Sequence, residues 1–221
     1  MSGFHLYIAW QGPPDALTLR AVHLAFALIL VFLTSATKRV SQLGFRLDSL
    51  ILIILTIVTC GYLVLQQDYI VSRMVYVDPL RHIDWTLGII TVLLVLEGTR
   101  RAVGWALPVT AIAFLAYALT IGGVDFERVT EQMYMGTEGI LGIPLYVSAT
   151  YVMLFILFGA LVERTGTGAL FMDFAMGLAG HSAGGPAKVS CITSGMFGTV
   201  SGSAVANVMT TGAFTIPLMK R

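Results

Sequence analysis

Residues 194–213 read SGMFGTVSGSAVANVMTTGA, and this stretch decides how the rest of the sequence is interpreted. Thirteen of its twenty residues are Gly, Ala, Ser or Thr, so it differs from a helix that faces lipid with large aliphatic side chains. It lies in an uncharged tract, residues 189–219. Small residues let backbones approach closely, and hydroxyl and unwound carbonyl groups supply oxygen ligands. The stretch therefore predicts a broken or re-entrant helix that lines a site inside protein.

The composition of the whole chain indicates an integral membrane protein. Of its 221 residues, 57% are hydrophobic and only 11% are charged, whereas soluble domains carry roughly 25% charged residues. The formal net charge of +1 argues against nucleic acid as a partner. The two cysteines lie in apolar segments and suggest neither a disulfide framework nor a zinc site.

Five segments are long and apolar enough to cross a lipid bilayer, which takes about 20 residues per helix. They run over about residues 19–36, 49–66, 83–98, 102–121 and 140–162. Residues 4–10 are too few to span and could be the end of a preceding span. The connections between the first and second spans and between the third and fourth spans are basic, and the connection between the fourth and fifth spans is acidic. Because basic connections stay in the cytoplasm, this pattern predicts an N-terminus outside the cytoplasm. The expected fold is an all-α integral membrane protein with about five transmembrane helices, followed by a re-entrant helical hairpin.

The hairpin is expected to enter the membrane from the cytoplasmic side, after an interfacial helix at residues 168–180. Its first half-helix would run from Lys188 to about Thr199. The second would leave from about Ala204, or the turn would lie nearer residues 210–212. Transporters of this kind carry a second, inverted repeat, because one hairpin cannot enclose a site. We therefore expect the chain to be a fragment of a longer polypeptide or one half of a split system.

Neutral oxygen donors and glycines are the candidate ligand-binding residues of this hairpin. They are Ser201, Gly202, Ser203, Asn207, Thr210, Thr211 and Gly212. Hydroxyl, amide and carbonyl oxygens can hold Na⁺, and the N-terminus of a half-helix offers N–H groups to an anionic substrate. Tight helix packing through small residues is the alternative explanation of the same pattern.

The remaining polar residues favour structural roles over chemistry. Glu97 lies three and four positions before Arg100 and Arg101, which predicts helical ion pairs and an interfacial anchor. His23 has no acidic residue nearby in the sequence and favours packing over proton transfer. Zinc-protease and ATP-binding motifs are absent from the sequence, and Thr199 stands where an intramembrane serine protease would have glycine. We therefore do not expect an enzyme, and uphill transport would need an ion gradient or another external energy source.

Several motifs resemble the large permease subunit of TRAP transporters. They are GGPAKV at 184–189, FGTVSGSAVAN at 197–207, TTGAFTIPLMKR at 210–221, RAVHL at 20–24, LEGTRRAVGWALP at 96–108 and EGILGIPL at 138–145. The resemblance extends over residues 17–221 and is best to fused permeases that work with TAXI-class binding proteins. It implies a small-subunit-like membrane region at residues 1–81, followed by the start of a large-subunit-like permease domain at residues 82–221.

The resemblance also implies a function and a site. It implies a Na⁺-coupled, elevator-like importer of organic anions such as carboxylates, in a prokaryotic inner membrane, with no cofactor besides the coupling ion. A periplasmic substrate-binding protein would deliver the substrate, and a remaining permease half would complete the site. Ser201, Gly202 and Ser203 match the binding hairpin first, with Ser201 and Ser203 as Na⁺ ligands. The alternative is a membrane scaffold or assembly subunit without transport activity, although a scaffold needs no hydroxyl-rich broken helix.

Overall fold

Every regular element that the structure describes is a helix. The computed structural model describes residues 1–38, 47–201 and 204–220, with the backbone alone at 36–38, 47, 163, 201, 204–206, 209–210 and 213–214. The helices form two compact units, Tyr7–Ala149 with Met1, and Thr150–Arg221 with Ser2–Leu6. In the described ranges the α-helices are α1 (Ser2–Gln11), α2 (Ala16–Lys38), α3 (Leu47–Leu65), α4 (Gln67–Ser72), α5 (His82–Val103), α6 (Ala106–Thr120), α7 (Phe126–Thr130), α8 (Ile143–Val147), α9 (Met153–Arg164), α10 (Thr167–Ala179), α11 (Gly185–Ser201) and α12 (Ala204–Met219). Two π-helical turns, Glu131–Met135 and Ser148–Val152, follow α7 and α8.

Three helical segments of the described ranges have the length and composition needed to cross a membrane. They are Ala16–Ser35, Asp48–Leu65 and Ile143–Val162. These segments correspond to the first, second and fifth predicted spans. The helix α5 carries charged residues in its first and last turns, and α6 has only 15 residues. The total of five spans therefore stays a prediction, as does the re-entrant character of the hairpin.

Two of the predicted spans begin too early. The fourth was expected from residue 102, but α5 continues to Val103 and Gly104 follows it with a φ of 100°. This left-handed backbone favours glycine, and it separates α5 from α6. The fifth was expected from residue 140, but the helix begins at Ile143 with Pro144 in its first turn. Proline fits the first turn of a helix because the N–H group it lacks would have no partner there.

The core of the first unit lies where α2, α3 and α5 meet. Leu24, Phe32, Leu63 and Leu94 are buried there. Gly88 permits a close approach between α5 and α7, since a Cβ atom at that position would lie 2.5 Å from the γ-methyl carbon of Thr130. These helices therefore pack more closely than larger side chains would allow.

The acidic connection between the fourth and fifth predicted spans, residues 122–139, is folded against this core. Its helix α7 and the π-turn Glu131–Met135 both pack against α5. Tyr134 is 1% exposed, and its hydroxyl donates to the carbonyl of Thr59 at 2.7 Å. A segment that composition marks as a polar connection therefore contributes core residues.

The second unit is organised around α11, which packs against α9, α10 and α12. Ala175 and Ala179 on α10 are buried in one cluster with Val189 on α11. Phe171 and Phe197 meet edge to face, with ring centroids 6.0 Å apart. The predicted interfacial helix at residues 168–180 corresponds to α10, within one residue at each end.

Candidate functional site

Residues 194–213 contain the end of α11 and most of α12. The two helices, which residues 202–203 separate in the chain, pack against each other. Leu218, near the end of α12, packs on the cluster that contains Val189, near the start of α11. Ser194 and Asn207 meet closer to the connection. The two helices are therefore antiparallel.

The prediction that the second helix leaves from about Ala204 is correct, and the alternative turn near residues 210–212 is wrong. The helix α12 continues through Thr210, Thr211 and Gly212. The hydroxyls of Thr211 and Thr215 donate to the carbonyls of Asn207 and Thr211, at 2.7 and 2.9 Å. These bonds satisfy the threonines inside the helix, so small polar residues do not interrupt it.

The predicted site residues differ in what the structure says of them. Ser201 closes α11, and Thr210 lies within α12, both with the backbone alone described. Gly202 and Ser203 lie outside the described residues. Thr211 is buried and Gly212 is partly buried on α12. The sodium and substrate roles of all these positions stay predictions.

Asn207, the only asparagine of the chain, is the best-defined of the predicted residues. Its amide nitrogen donates to the carbonyl oxygen and to the hydroxyl oxygen of Ser194, at 3.0 and 3.1 Å. Gly198 faces this amide, and a Cβ atom there would lie 3.6 Å from it. The two bonds fix the orientation of the side chain between the helices.

The amide oxygen of Asn207 is buried and has no hydrogen-bond partner among the described residues. Buried polar atoms nearly always have a partner, so an unpaired one calls for an explanation, such as an ion or a water molecule. The nitrogen of the amide is already bonded, which leaves this oxygen as the free acceptor. Asn207 can therefore offer an oriented neutral oxygen to a cation.

Thr193 on α11 provides a second unpaired oxygen that the sequence did not single out. The residue is 1% exposed, and its hydroxyl has no partner within the described part of the chain. The hydroxyls of Thr199, Thr211 and Thr215 each donate to a carbonyl of their own helix. Nothing in the sequence distinguishes Thr193 from these threonines. Only the three-dimensional structure identifies it as a candidate ligand.

The donor set of the helix pair is electrically neutral. Asp173 is the last acidic residue of the sequence. Over the described ranges, no group of three or more His, Cys, Asp or Glu side chains could hold a metal ion. Divalent hard cations favour sites with carboxylates, and transition metals favour imidazole or thiolate. Neutral oxygens alone fit a monovalent cation better.

Asp84 is the centre of a polar cluster in the first unit that sequence analysis missed. It is fully buried at the start of α5 and accepts bonds from the hydroxyls of Tyr62 and Tyr69, at 2.5 and 3.1 Å. The backbone N–H of Arg81 donates a third bond at 3.1 Å. Burial and the charge of Asp84 raise the pKa of the Tyr69 hydroxyl, so this hydroxyl stays protonated as a donor. The cluster ties α3, α4 and α5 together.

A buried ion pair joins two connections between predicted spans, residues 67–82 and residues 122–139. Arg73 and Glu131 approach to 3.1 Å, and their side chains are 6% and 5% exposed. Glu131 also accepts a bond from the backbone N–H of Tyr76, which has a positive φ of 64°. The partners lie 58 positions apart in the sequence. No local pattern could have identified this pair.

Two further polar predictions concern the spans. The ion pairs of Glu97 are confirmed, since its carboxylate accepts bonds from Arg100 and Arg101 at 2.6 Å. His23 is 4% exposed and lies 3.1 Å from the hydroxyl of Ser148. A buried histidine beside a hydroxyl agrees with the expected packing role.

Comparison with known proteins identifies the chain's relatives. Residues 90–221 match the family described as Tripartite ATP-independent periplasmic transporter, DctM component. A Haemophilus influenzae protein named as a TRAP transporter large permease is 33% identical over 97 residues, covering 43% of this chain and 22% of the relative. The C4-dicarboxylate TRAP transporter large permease protein DctM of Rhodobacter capsulatus is 29% identical over 135 residues, covering 60% of this chain and 28% of the relative.

The chain thus spans about a quarter of the length of the curated relatives it matches. No solved structure is a significant match. The family match covers more than half of the chain and includes both helices of the candidate site. The chain therefore belongs to the DctM family, the large permease component of TRAP transporters.

Proposed function

We propose that this chain is part of a Na⁺-coupled permease that imports organic anions such as carboxylates across a prokaryotic inner membrane. A periplasmic binding protein delivers the substrate, and a further permease segment with a second hairpin completes the site. Family membership supports the transport role. The name of the Rhodobacter capsulatus relative, which specifies C4-dicarboxylates, favours a carboxylate as the substrate class.

The unpaired amide oxygen of Asn207 carries the proposal of sodium coupling. It is a buried acceptor in a helix pair that contains no acidic residue. Its position is fixed because the amide nitrogen of the same side chain donates a hydrogen bond to Ser194. A carboxylate in the same place would compensate the charge of a cation and would repel an anionic substrate. Neutral oxygens leave the positive charge of the bound Na⁺ uncompensated, so the ion can attract the anionic substrate. The hydroxyls of Ser201 and Ser203 are the proposed companions of Asn207.

In the resulting mechanism, Na⁺ binds first to neutral oxygens of the helix pair. The anionic substrate is then attracted by the bound cation and by the start of α12, because the N-terminal end of a helix carries partial positive charge. Binding of both ions would neutralise the site before it moves across the membrane, since an unpaired charge at bilayer depth is costly. Movement would be elevator-like, with the α11–α12 pair as part of the moving domain.

The test uses the complete permease in proteoliposomes with its binding protein. Uptake is measured as a function of Na⁺ concentration for the wild type, Asn207→Ala, Ser201→Ala and Ser203→Ala. We expect the Asn207→Ala change to raise the Na⁺ concentration for half-maximal uptake by about tenfold, equivalent to ~1.4 kcal/mol of binding free energy. The two serine variants should shift it in the same direction and fold normally.

Ser190→Ala is the matched control, because the Ser190 hydroxyl on α11 donates to the carbonyl of Ala187 at 2.9 Å. It should leave the Na⁺ dependence unchanged. Unaltered Na⁺ activation in all three site variants would refute the site. Wild-type uptake that is equal in Na⁺ and K⁺ would refute sodium coupling. A folded wild-type protein without uptake would favour the scaffold alternative.

A further inference from the structure

A pocket of about 430 Å³ lies in the first unit, where α4 and the turn that follows it meet the start of α2 and the π-turn Glu131–Met135. Val75 and Tyr76 line the pocket from the turn and are 56% and 49% exposed, so it can be reached from the surface. The pocket contains no residue of the α11–α12 pair. Its buried walls are the apolar side chains of Leu17, Ile70 and Met135.

The ion pair of Arg73 and Glu131 also lines this pocket, and each partner keeps one atom without a hydrogen bond. These atoms are Nε of Arg73 and Oε1 of Glu131, and neither has a partner among the described residues. The two side chains lie 3.1 Å apart and are 6% and 5% exposed, yet their orientation gives no hydrogen bond between them. Buried polar atoms nearly always have a partner, so this donor and this acceptor call for one.

The backbone on both sides of the pair is unusual. Glu131 begins a π-helical turn, and such turns occur frequently at functional sites. Tyr76, whose N–H donates to Glu131, has a φ of 64°. Residues other than glycine rarely adopt this left-handed conformation, and they keep it only where the surrounding structure holds them. The fold therefore holds the carboxylate of Glu131 at the pocket, although its hydrogen bonding is incomplete.

The two unpaired atoms favour a ligand group that both accepts and donates. A hydroxyl does so with a single oxygen, which accepts from the guanidinium of Arg73 while its O–H donates to the carboxylate of Glu131. The charges of the pair cancel, so the pair does not select an ion. Glu138, the third charged residue of the lining, is exposed, and water and salt screen its charge.

The size of the pocket favours a ligand larger than water. One water molecule takes about 30 Å³, so a water between Arg73 and Glu131 would leave most of the apolar volume to be filled. Burial of an aliphatic body against Leu17, Ile70 and Met135 removes apolar surface from water, which is favourable.

We propose that this pocket binds a neutral molecule with a hydroxyl group on an aliphatic body, such as a monoacylglycerol of the membrane or a free alcohol. The hydroxyl binds between Arg73 and Glu131, and the aliphatic part packs against the apolar walls. The site is separate from the proposed transport site and does not depend on sodium coupling.

Photolabelling tests the proposal on the complete permease in phosphatidylcholine nanodiscs. The protein is irradiated with a diazirine analogue of octanol, or with analogues of octane, octanoate and octylamine that carry the same diazirine. Mass spectrometry of the peptides locates the adducts. We expect the alcohol to label residues 70–76 and 131–138 several-fold more than the other three compounds do. Unlabelled octanol should suppress this labelling.

Competition identifies the source of the ligand. Monooleoylglycerol, which stays in the bilayer, and hexanediol, which stays in water, are added in turn to the photoreactive alcohol. Suppression by monooleoylglycerol supports a ligand from the membrane, and suppression by hexanediol supports one from the aqueous phase. Suppression by neither would overturn the proposal, because both carry the proposed chemistry.

Two variants of the same turn locate the labelling. Val75→Trp fills the pocket from its rim and leaves Arg73 and Glu131 unchanged, so it should abolish the labelling. Val77→Trp is the matched control, since Val77 is 72% exposed and lies outside the lining, and it should preserve the labelling.

Four results would overturn the proposal. Equal labelling by all four compounds would show apolar partition alone, and stronger labelling by octanoate or octylamine would show selection of a charge. Labelling that survives Val75→Trp would place the ligand elsewhere. Absence of labelling at both segments would leave water as the occupant. If Val75→Trp fails to fold, the comparison of the four compounds on the wild type still decides.

Discussion

The helices α2–α5 hold charged side chains in polar clusters, with Asp84 fully buried and Glu97 partly exposed, whereas the buried polar side chains described in α10–α12 are all neutral. In the first group, Asp84 accepts three hydrogen bonds and Glu97 binds two arginines. In the second group, the buried polar residues whose side chains are described are Thr193, Thr211 and Thr215. Paired charges fix a structure, because separating them leaves a buried charge unpaired. Neutral oxygens without partners can exchange a ligand at small cost, which suits a transport site better.

Replacing Asp84 should have the largest effect on stability. Asp84→Ala leaves the partly buried hydroxyls of Tyr62 and Tyr69 without their acceptor and removes the cap of α5. We expect a loss of about 3 kcal/mol of unfolding free energy, since breaking a buried charged cluster from one side typically costs this much. Thermal unfolding of the purified protein in detergent provides the measurement.

Asp125→Ala is the matched control for this prediction. Its side chain is 78% exposed, and its nearest ionic partner, Arg128, lies 3.9 Å away. Exposed pairs of this kind contribute about 0–1 kcal/mol. Equal losses in the two variants would show that Asp84 does not tie the helices together, and the contrast between the two groups of helices would then lose its main support.

Replacing Glu97 should have an intermediate effect and should separate stability from transport. Glu97→Gln removes the charge that orients Arg100 and Arg101, so we expect a loss of about 1–2 kcal/mol in unfolding free energy. Uptake by the complete permease should remain close to that of the wild type if Glu97 is an interfacial anchor without a role in transport. Abolished uptake with normal membrane insertion and normal thermal stability would instead place Glu97 in the transport machinery.

The sequence predicts the positions of the helices well and the buried polar contacts poorly. Helix periodicity and apolar length predicted α2, α3, α5 and α10 within a few residues, because those features are local. The pairing of Arg73 with Glu131 depends on the meeting of two connections that are far apart in the chain. The burial of Asp84 likewise depends on tyrosines from two other helices. A charged residue at the start of a helix normally indicates an exposed end, so nothing in the local sequence indicates that Asp84 is buried.

The candidate site shows the same division between local and tertiary information. The composition of residues 194–213 predicted a pair of helices of small residues and selected Asn207. It left the turn open between residues 199–204 and 210–212, because threonine and glycine occur in turns and within tightly packed helices alike. It did not select Thr193, whose difference from Thr211 and Thr215 lies in its hydrogen bonding alone. Side-chain partners of this kind are set by the neighbouring helix.

Thr193→Val should have the smallest effect on stability and the most informative effect on ion binding. The substitution replaces an unpaired buried hydroxyl by a methyl group of similar size. In K⁺ we expect the unfolding free energy to stay the same or to rise by up to about 1 kcal/mol, because an unsatisfied polar group is removed. If Thr193 is a ligand, the extra stability that Na⁺ confers on the complete permease should fall, since a ligand stabilises only the state that binds it.

Thr215→Val is the matched control for Thr193→Val. Thr215 is 4% exposed, but its hydroxyl donates to the carbonyl of Thr211 at 2.9 Å. Its loss should lower the unfolding free energy by about 0.5–1 kcal/mol and leave the stabilisation by Na⁺ unchanged. Melting temperatures in NaCl and KCl give both quantities for both variants. If the two variants lose the same stability in K⁺, the Thr193 hydroxyl has a partner after all. If both keep the full Na⁺ increment, Thr193 is no ligand, and the unpaired oxygen of Asn207 must bind the cation with other neighbours.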